Sequence, residues 1–260
     1  MVRLATVPAL DTPIFRLSRG PADPFSPPDW SFALEDGTFG NRFDDPSGLD
    51  GRPPEERFRI IYCATQRTAA FGECVARFRP SLTLLAQLGL IDDEEPLDAA
   101  LAGTVDPDNV ERGLIPADWR LRRRMGKTLL YPWLPFVDIA DAQSINYLRV
   151  VLAPLAHDLG LSDIDLSSLT SQQRRFTQGC ARHIYDQSDA QNEPRYAGIR
   201  YLSRLNPEWE CWAIFSDHLM HAPGWPSFPE SIHADVPDLL TVASLFGLTI
   251  EVLSGAYLRP

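Results

Sequence analysis

Glu73 is the acid around which this chain's chemistry can be built. It sits in RFRIIYCATQRTAAFGECVARFRP, residues 57–80, four residues before Arg77 and in line with Ala69 and Ala70. On a helix that spacing allows two things. The first is a surface ion pair between Glu73 and Arg77, worth roughly 0.3–0.5 kcal/mol. The second is a fixed negative charge offered to a ligand, because the two small alanines leave room beside the carboxylate. Other groups invite plainer readings when taken singly. Arg42, in the turn-rich GNRFDDPSG, reads as a solvated loop arginine, and Ser203 as strand filler. Arg120, Arg122, Arg123, Arg124 and Lys127 read as a solvated basic face. His218 and His221 are spaced HxxH, but no cysteine or carboxylate stands at a metal-ligand spacing from them, so no metal site is assigned.

The elements that must position Glu73 follow from apolar periodicity. Phe58, Ile60, Ile61 and Tyr62 form a strand, and Thr65 or Thr68 can cap a helix whose Phe71, Cys74, Val75 and Phe78 recur at i, i+3, i+4, i+7. That puts Tyr62 at a strand end and Glu73 one to two turns into the next helix. Upstream, Ile14–Ser18 alternates as a first strand, with Phe15 and Leu17 on one face and Arg16 on the other. Residues 20–56 hold seven prolines and five glycines, which suits a long irregular loop with a tight turn around Arg42.

Downstream, the spacing predicts a short helix from Leu82 to Leu90 and an acidic insertion from Asp92 to Asp108. A basic helix follows Pro116, and a strand runs from Trp133 to Ile139. A helix capped by Asp141 ends at Gly160 and is interrupted at Pro154. Leu169–Tyr185 reads as one helix with capping-box spacing between Thr170 and Gln173 and a core stripe of Phe176, Cys180 and Ile184. GIRYLSR and ECWAIF read as two strands joined by a turn at Asn206 and Pro207. The last 45 residues read as an elaboration: an aromatic and proline-rich loop, a helix Pro237–Phe246 and a strand Leu248–Leu253. Strands with interspersed helices and no regular βαβ rhythm give an α+β fold with mixed or antiparallel sheets and flanking helices.

Composition limits the partners. The 260 residues carry 24 basic and 35 acidic side chains, a net charge of −11, which disfavours a general role on nucleic acid or an anionic membrane. Apolar residues make up 44%, enough for a sizeable core. Cys63, Cys74, Cys180 and Cys211 lie inside apolar patterns without CxxC spacing and read as reduced thiols, which points to the cytoplasm. No export signal and no 18-residue apolar run is legible. GxGxxG, GxxxxGK[ST] and GxSxG are all missing, which removes the common dinucleotide, P-loop and hydrolase-elbow readings.

Several pieces nevertheless stand together in order: IFRLSRG, GNRFDDP, the Glu73 stretch, PFVDIADAQSINYLR, RRFTQGCARHIYD, GIRYLSR and WAIF. In this the chain resembles the RES-domain proteins, over roughly residues 13–215. The resemblance implies one RES-like domain over residues 1–260 with an elaboration at 216–260, and a fold similar to ADP-ribosyltransferase toxins. It implies a toxin that cleaves the nicotinamide–ribose bond of NAD by hydrolysis or phosphorolysis, and a helix-turn-helix antitoxin as partner. The family's arginine, glutamate and serine fall on Arg42, Glu73 and Ser203, and further pocket positions fall on Arg16 and Tyr62. Where some relatives carry a tyrosine after the first arginine, this chain has Leu17.

On that resemblance the roles are physical. Nicotinamide leaves neutral, so the cost of cleavage lies in the positive charge developing on the ribose, which Glu73 would stabilise. Arg16 and Arg42 suit the pyrophosphate, Tyr62 a ring face, and Ser203 an amide or ribose hydroxyl. NAD is a substrate and no resident cofactor is implied; inorganic phosphate is a candidate co-substrate. Two rivals remain open on sequence alone: a mono-ADP-ribosyltransferase acting on protein, and a catalytically silent module binding a partner through Trp209, Trp212, Trp225 and Phe228. The acceptor and the oligomeric state are also open.

Overall fold

A computed structural model of the chain describes residues 3–9, 11–88, 113–130, 134–219, 227–253 and 256–258. The expected insertion at 92–108, His221, Trp133 and Trp225 lie outside the described residues.

The fold is α+β. Eleven strands are described: β1 (Thr6–Val7), β2 (Pro13–Arg19), β3 (Ile60–Ala64), β4 (Leu114–Ile115), β5 (Arg123–Leu129), β6 (Phe136–Asp138), β7 (Gly198–Leu202), β8 (Glu210–Phe215), β9 (Glu230–Ser231), β10 (Thr249–Glu251) and β11 (Tyr257–Leu258). Eight of them form one sheet in the order β1-β6-β7-β8-β3-β2-β5-β9, and β11-β10-β4 form a second. In the larger sheet β6 and β7 run parallel and the other pairs antiparallel. Strand β3 lies inside this sheet between β8 and β2, and its side chains alternate between two cores. Ile60 and Ala64 enter one apolar cluster, Ile61 and Cys63 the other, as a strand buried on both faces requires.

Helices pack on the larger core. Helix α1 (Arg67–Val75) follows β3 after two residues and buries Phe71 and Val75 completely. Neither Thr65 nor Thr68 caps it; Gln66 is the N-cap residue and makes no side-chain cap bond. Thr65 instead donates to Glu210 Oε2 at 2.7 Å and accepts from Trp212 Nε1 at 3.1 Å, tying the β3–α1 corner to β8. Helix α2 (Leu82–Leu88) is the short apolar helix expected there.

The basic segment is the main correction. Helix α3 (Ala117–Leu121) ends before the arginine run, and Arg123 to Leu129 form β5, paired with β2 over seven residues from Pro13↔Leu129 to Arg19↔Arg123. That long-range pairing overrides local helix propensity. Arg120 is no solvated cation either. It is 3% exposed and donates to the carbonyls of Ile232, Glu251 and Val252, stapling α3 to the C-terminal region.

Pro154 does interrupt its helix, giving α4 (Ala142–Val151), capped by Asp141, and α5 (Ala153–Asp158). The expected Leu169–Tyr185 helix is two: α6 (Leu166–Thr170) and α7 (Arg174–Tyr185). The capping box belongs to Asp165 and Ser168, which sit at the same three-residue spacing five residues earlier, while Gln173 makes no side-chain cap bond. Phe176, Cys180 and Ile184 are fully buried, as their spacing predicts. Helix α8 (Pro237–Phe246) has the expected bounds and packs against α1, where Arg67 pairs with Glu230 at 2.7 Å and Asp238 at 3.2 Å. Among the described residues no helix is long and apolar enough to cross a membrane.

Candidate active site

Glu73 projects from α1 next to the point where that helix packs on the β7–β8 turn. A Cβ at the preceding Gly72 would stand 2.1 Å from Cζ3 of Trp209, so the glycine lets α1 approach the β7–β8 turn. That turn carries Ser203, directly after β7. Ser203 is 5% exposed, and its hydroxyl donates to Glu73 Oε1 and accepts from Leu205 N at 3.0 Å. The acid and the hydroxyl, 130 residues apart, therefore meet. Among the described residues no ion pair joins Glu73 to Arg77. The i, i+4 pair expected from spacing is replaced by this contact across the fold.

The second carrier of the site is the loop at Arg42. Asp44, 2% exposed, accepts from the backbone N–H of Phe39 at 3.0 Å and of Asn41 at 2.6 Å, and from the Tyr62 hydroxyl at 3.1 Å. Tyr62 in turn accepts from Phe43 N at 3.0 Å. Asp45 receives Ser47 N at 2.8 Å and Phe58 N at 3.0 Å, and pairs with Arg182 of α7 at 3.1 Å. Gln178 of α7 donates to Asn41 O at 3.0 Å. Burial lifts the Asp44 carboxyl, while the bonds from Asn41 and Tyr62 pull it back down. The Tyr62 hydroxyl is held well above the ordinary phenol range, first by burial and then by Asp44.

A cavity of about 330 Å³ collects these groups. It is lined by Arg16, Arg42, Tyr62 and Glu73, with Ser203 reaching it through its bond to Glu73. Four of the five residues singled out from the sequence line this hollow, and Ser203 stands behind it, bonded to Glu73. Asn41, Arg174 and Arg204 also line it and were missed. Arg204 is adjacent to Ser203, and Arg174 opens α7 within the RRFTQ segment; neither carries a local pattern that marks it. Cys74 is half-buried, packing against the larger core as its spacing predicts and also lining the cavity beside Ala70 and Glu73. Burial pushes the Cys74 thiol up to about 11, which leaves it a poor nucleophile at neutral pH.

The charge balance is cationic. Four arginines and one carboxylate line the cavity. Arg42 is 9% exposed, and its Nε and Nη1 are buried without a hydrogen-bond partner. Its guanidinium lies 5.4 Å from the centre of the Tyr201 ring, and burial lowers its hold on the proton. Arg16 is lowered for the same reason and donates to Ser26 O at 2.9 Å. The unpaired donors of Arg42 beside three further arginines make a hollow that would gain from a bound anion. Among the described residues no group of three or more His, Cys, Asp or Glu could hold a metal ion. His218 is instead bonded to Tyr196 O through Nδ1 at 2.7 Å and stacked on Tyr185.

Such a hollow, set where the sheet meets a helix bearing one carboxylate, has the charge to receive an anionic ligand. Residues 13–231 match the RES domain model, and the chain belongs to that family. RES domains are NAD-degrading enzymes, glycohydrolases or phosphorylases, and toxin components of toxin–antitoxin systems. No curated protein and no solved structure matches the chain.

Proposed function

We propose that this chain cleaves the nicotinamide–ribose bond of NAD in the 330 Å³ hollow, with Glu73, Arg42 and Ser203 as the reacting constellation and Arg16 and Tyr62 completing the pocket. The observation that carries this reading is the meeting of Glu73 and Ser203 opposite the unpaired nitrogens of Arg42. Glu73 stabilises the charge that develops on the ribose as the C–N bond lengthens and neutral nicotinamide departs. Ser203 occupies Oε1, so Oε2 is the oxygen left to face the sugar. Arg42 and Arg16 grip the pyrophosphate, Arg42 with the two donors that otherwise lack acceptors. The acceptor then closes on the anomeric carbon: water gives ADP-ribose, and phosphate gives its 1″-phosphate. Tyr62 serves mainly as a strut for the Arg42 loop, its hydroxyl being committed to Asp44 and Phe43, while its ring faces the ligand.

The same reading places the protein in the cytoplasm, supported by four free cysteines. It gives the protein a helix-turn-helix antitoxin that covers the pocket, and treats the chain as one domain. The last point is supported by an apolar cluster running from Leu4 to Ile250. The test is to incubate the purified chain with NAD, with and without phosphate, and identify the products. Release of nicotinamide with ADP-ribose or its phosphate is expected; transfer of ADP-ribose onto protein would replace this reading with a transferase, and absence of NAD binding would end both.

A further inference from the structure

Beside the Glu73 pocket lies a larger hollow of about 800 Å³, adjoining the first at Arg16, Leu17, Glu73 and Cys74. Away from Glu73, Arg19, Arg77 and Arg123 line it, and the same three line a third hollow of about 570 Å³. They come from β2, the turn after α1 and β5. None of them has an ion-pair partner among the described residues.

The acids nearby are already engaged. Asp118 pairs with Arg122 at 3.3 Å, Asp23 accepts from Phe25 N and Ser227 Oγ at 2.7 Å each, and Asp29 accepts from Ser31 N at 2.9 Å. Two more polar atoms are short of partners: Trp119 Nε1 and Ser18 Oγ, both buried, on residues that line the 800 Å³ hollow. Arg123 is fixed by stacking 4.2 Å from the Trp119 ring centre and donating to Trp119 O at 2.8 Å. Burial lowers its hold on the proton, and repulsion from Arg19 and Arg77 lowers it further.

In a chain of net charge −11, three neighbouring cations that no carboxylate pairs with repel one another until an anion arrives, the carboxylates lining the same hollows being bonded elsewhere. A neutral ring or sugar can accept single hydrogen bonds from these donors but leaves their charge uncompensated. A tetrahedral phosphate answers several at once, since each guanidinium offers a two-donor fork. We propose that Arg19, Arg77 and Arg123 form a second anion subsite that takes a phosphate dianion next to the Glu73 pocket. The phosphate has two possible sources: free inorganic phosphate, or a further phosphate carried by a nucleotide. The subsite stands on its own cations and not on turnover, so it is tested without NAD.

The experiment titrates the full chain by calorimetry with inorganic phosphate, and separately with adenosine 2′,5′-bisphosphate and 5′-AMP. Arg77→Gln and Arg19→Gln are the test variants, and Arg149→Gln, which removes a surface cation paired with Asp163, controls for net charge. Saturable binding is expected, weakened roughly tenfold in each test variant and unchanged in the control. Saturation by inorganic phosphate identifies the free ion as a ligand. A preference for the bisphosphate over AMP that disappears in Arg77→Gln identifies the nucleotide-borne group. Circular dichroism and thermal melts establish that the variants fold. No saturable binding of either probe, or binding untouched by both test variants, overturns the proposal.

Discussion

Arg200 and Arg42 stand on opposite sides of Tyr201 and illustrate two uses of the same side chain. Arg200, on β7, is saturated: it pairs with Glu210 at 2.8 Å and Asp138 at 3.1 Å, joining β6, β7 and β8. Arg182 is similar, held by Asp45 and Asp186. Arg42 is more deeply buried than either, yet two of its nitrogens have no acceptor and the only acid lining its cavity is already bonded to Ser203. An arginine supplied with carboxylates works as a joint of the scaffold. One buried without them has paid for desolvation and is repaid when an anion arrives.

The comparison can be broken at its chemical end first. Glu73→Ala should lower NAD turnover on the order of 10³-fold with an unchanged melting temperature, because it removes the group that stabilises the transition state and little packing. Retained turnover on a product assay would take Glu73 out of the mechanism. Arg42→Lys should raise the Kd for NAD by roughly 10- to 100-fold, since one ammonium cannot reproduce a two-donor fork; titration with NAD measures it. Arg200→Ala should do the reverse, costing roughly 1–3 kcal/mol in chemical denaturation by leaving Asp138 and Glu210 unpaired, with little change in Kd for NAD. An equal effect of both arginine changes on binding would erase the distinction between joint and site.

Two further changes sharpen it. Gly72→Ala should cost about 1–3 kcal/mol by overpacking against Trp209, and should also lower kcat, because α1 must retreat and carry Glu73 from Ser203. The smallest effect is expected at His218, away from the pocket. Burial holds its imidazole below the usual 6.5, opposed by its bond to Tyr196 O. The unfolded chain then takes up the proton first, so stability falls as pH drops from about 6.5 through the lower folded-state value. His218→Asn should flatten that part of the stability–pH curve, read as the difference from the parent protein.

Much of this was legible from residue order. Local periodicity located β3, α1, the Pro154 break, α8 and the stripe of α7, because each carries its pattern within a few consecutive residues. The motif order also named Arg16, Arg42, Tyr62 and Glu73, which line one hollow, and Ser203, which bonds to Glu73. What periodicity could not supply was partnership across distance. The arginine run after Pro116 has the composition of a helix, and only its seven pairings with β2 make it a strand. Glu73 has Arg77 at ideal helical spacing, and only the fold delivers Ser203 instead. Arg174 and Arg204 join the pocket by tertiary placement alone.

The Arg42 loop is fastened downstream of the arginine, at Asp44 to Tyr62 and at Asp45 to Phe58, while the stretch from Ala22 to Phe32 lines the larger hollow and meets the Glu73 pocket through Ser26 O, which accepts from Arg16. Rewriting or lengthening that upstream stretch would reshape what the neighbouring groove admits and leave the Arg42 guanidinium where it is. Ligand choice and bond cleavage can therefore drift apart in descent, or be engineered apart, by edits to one irregular segment.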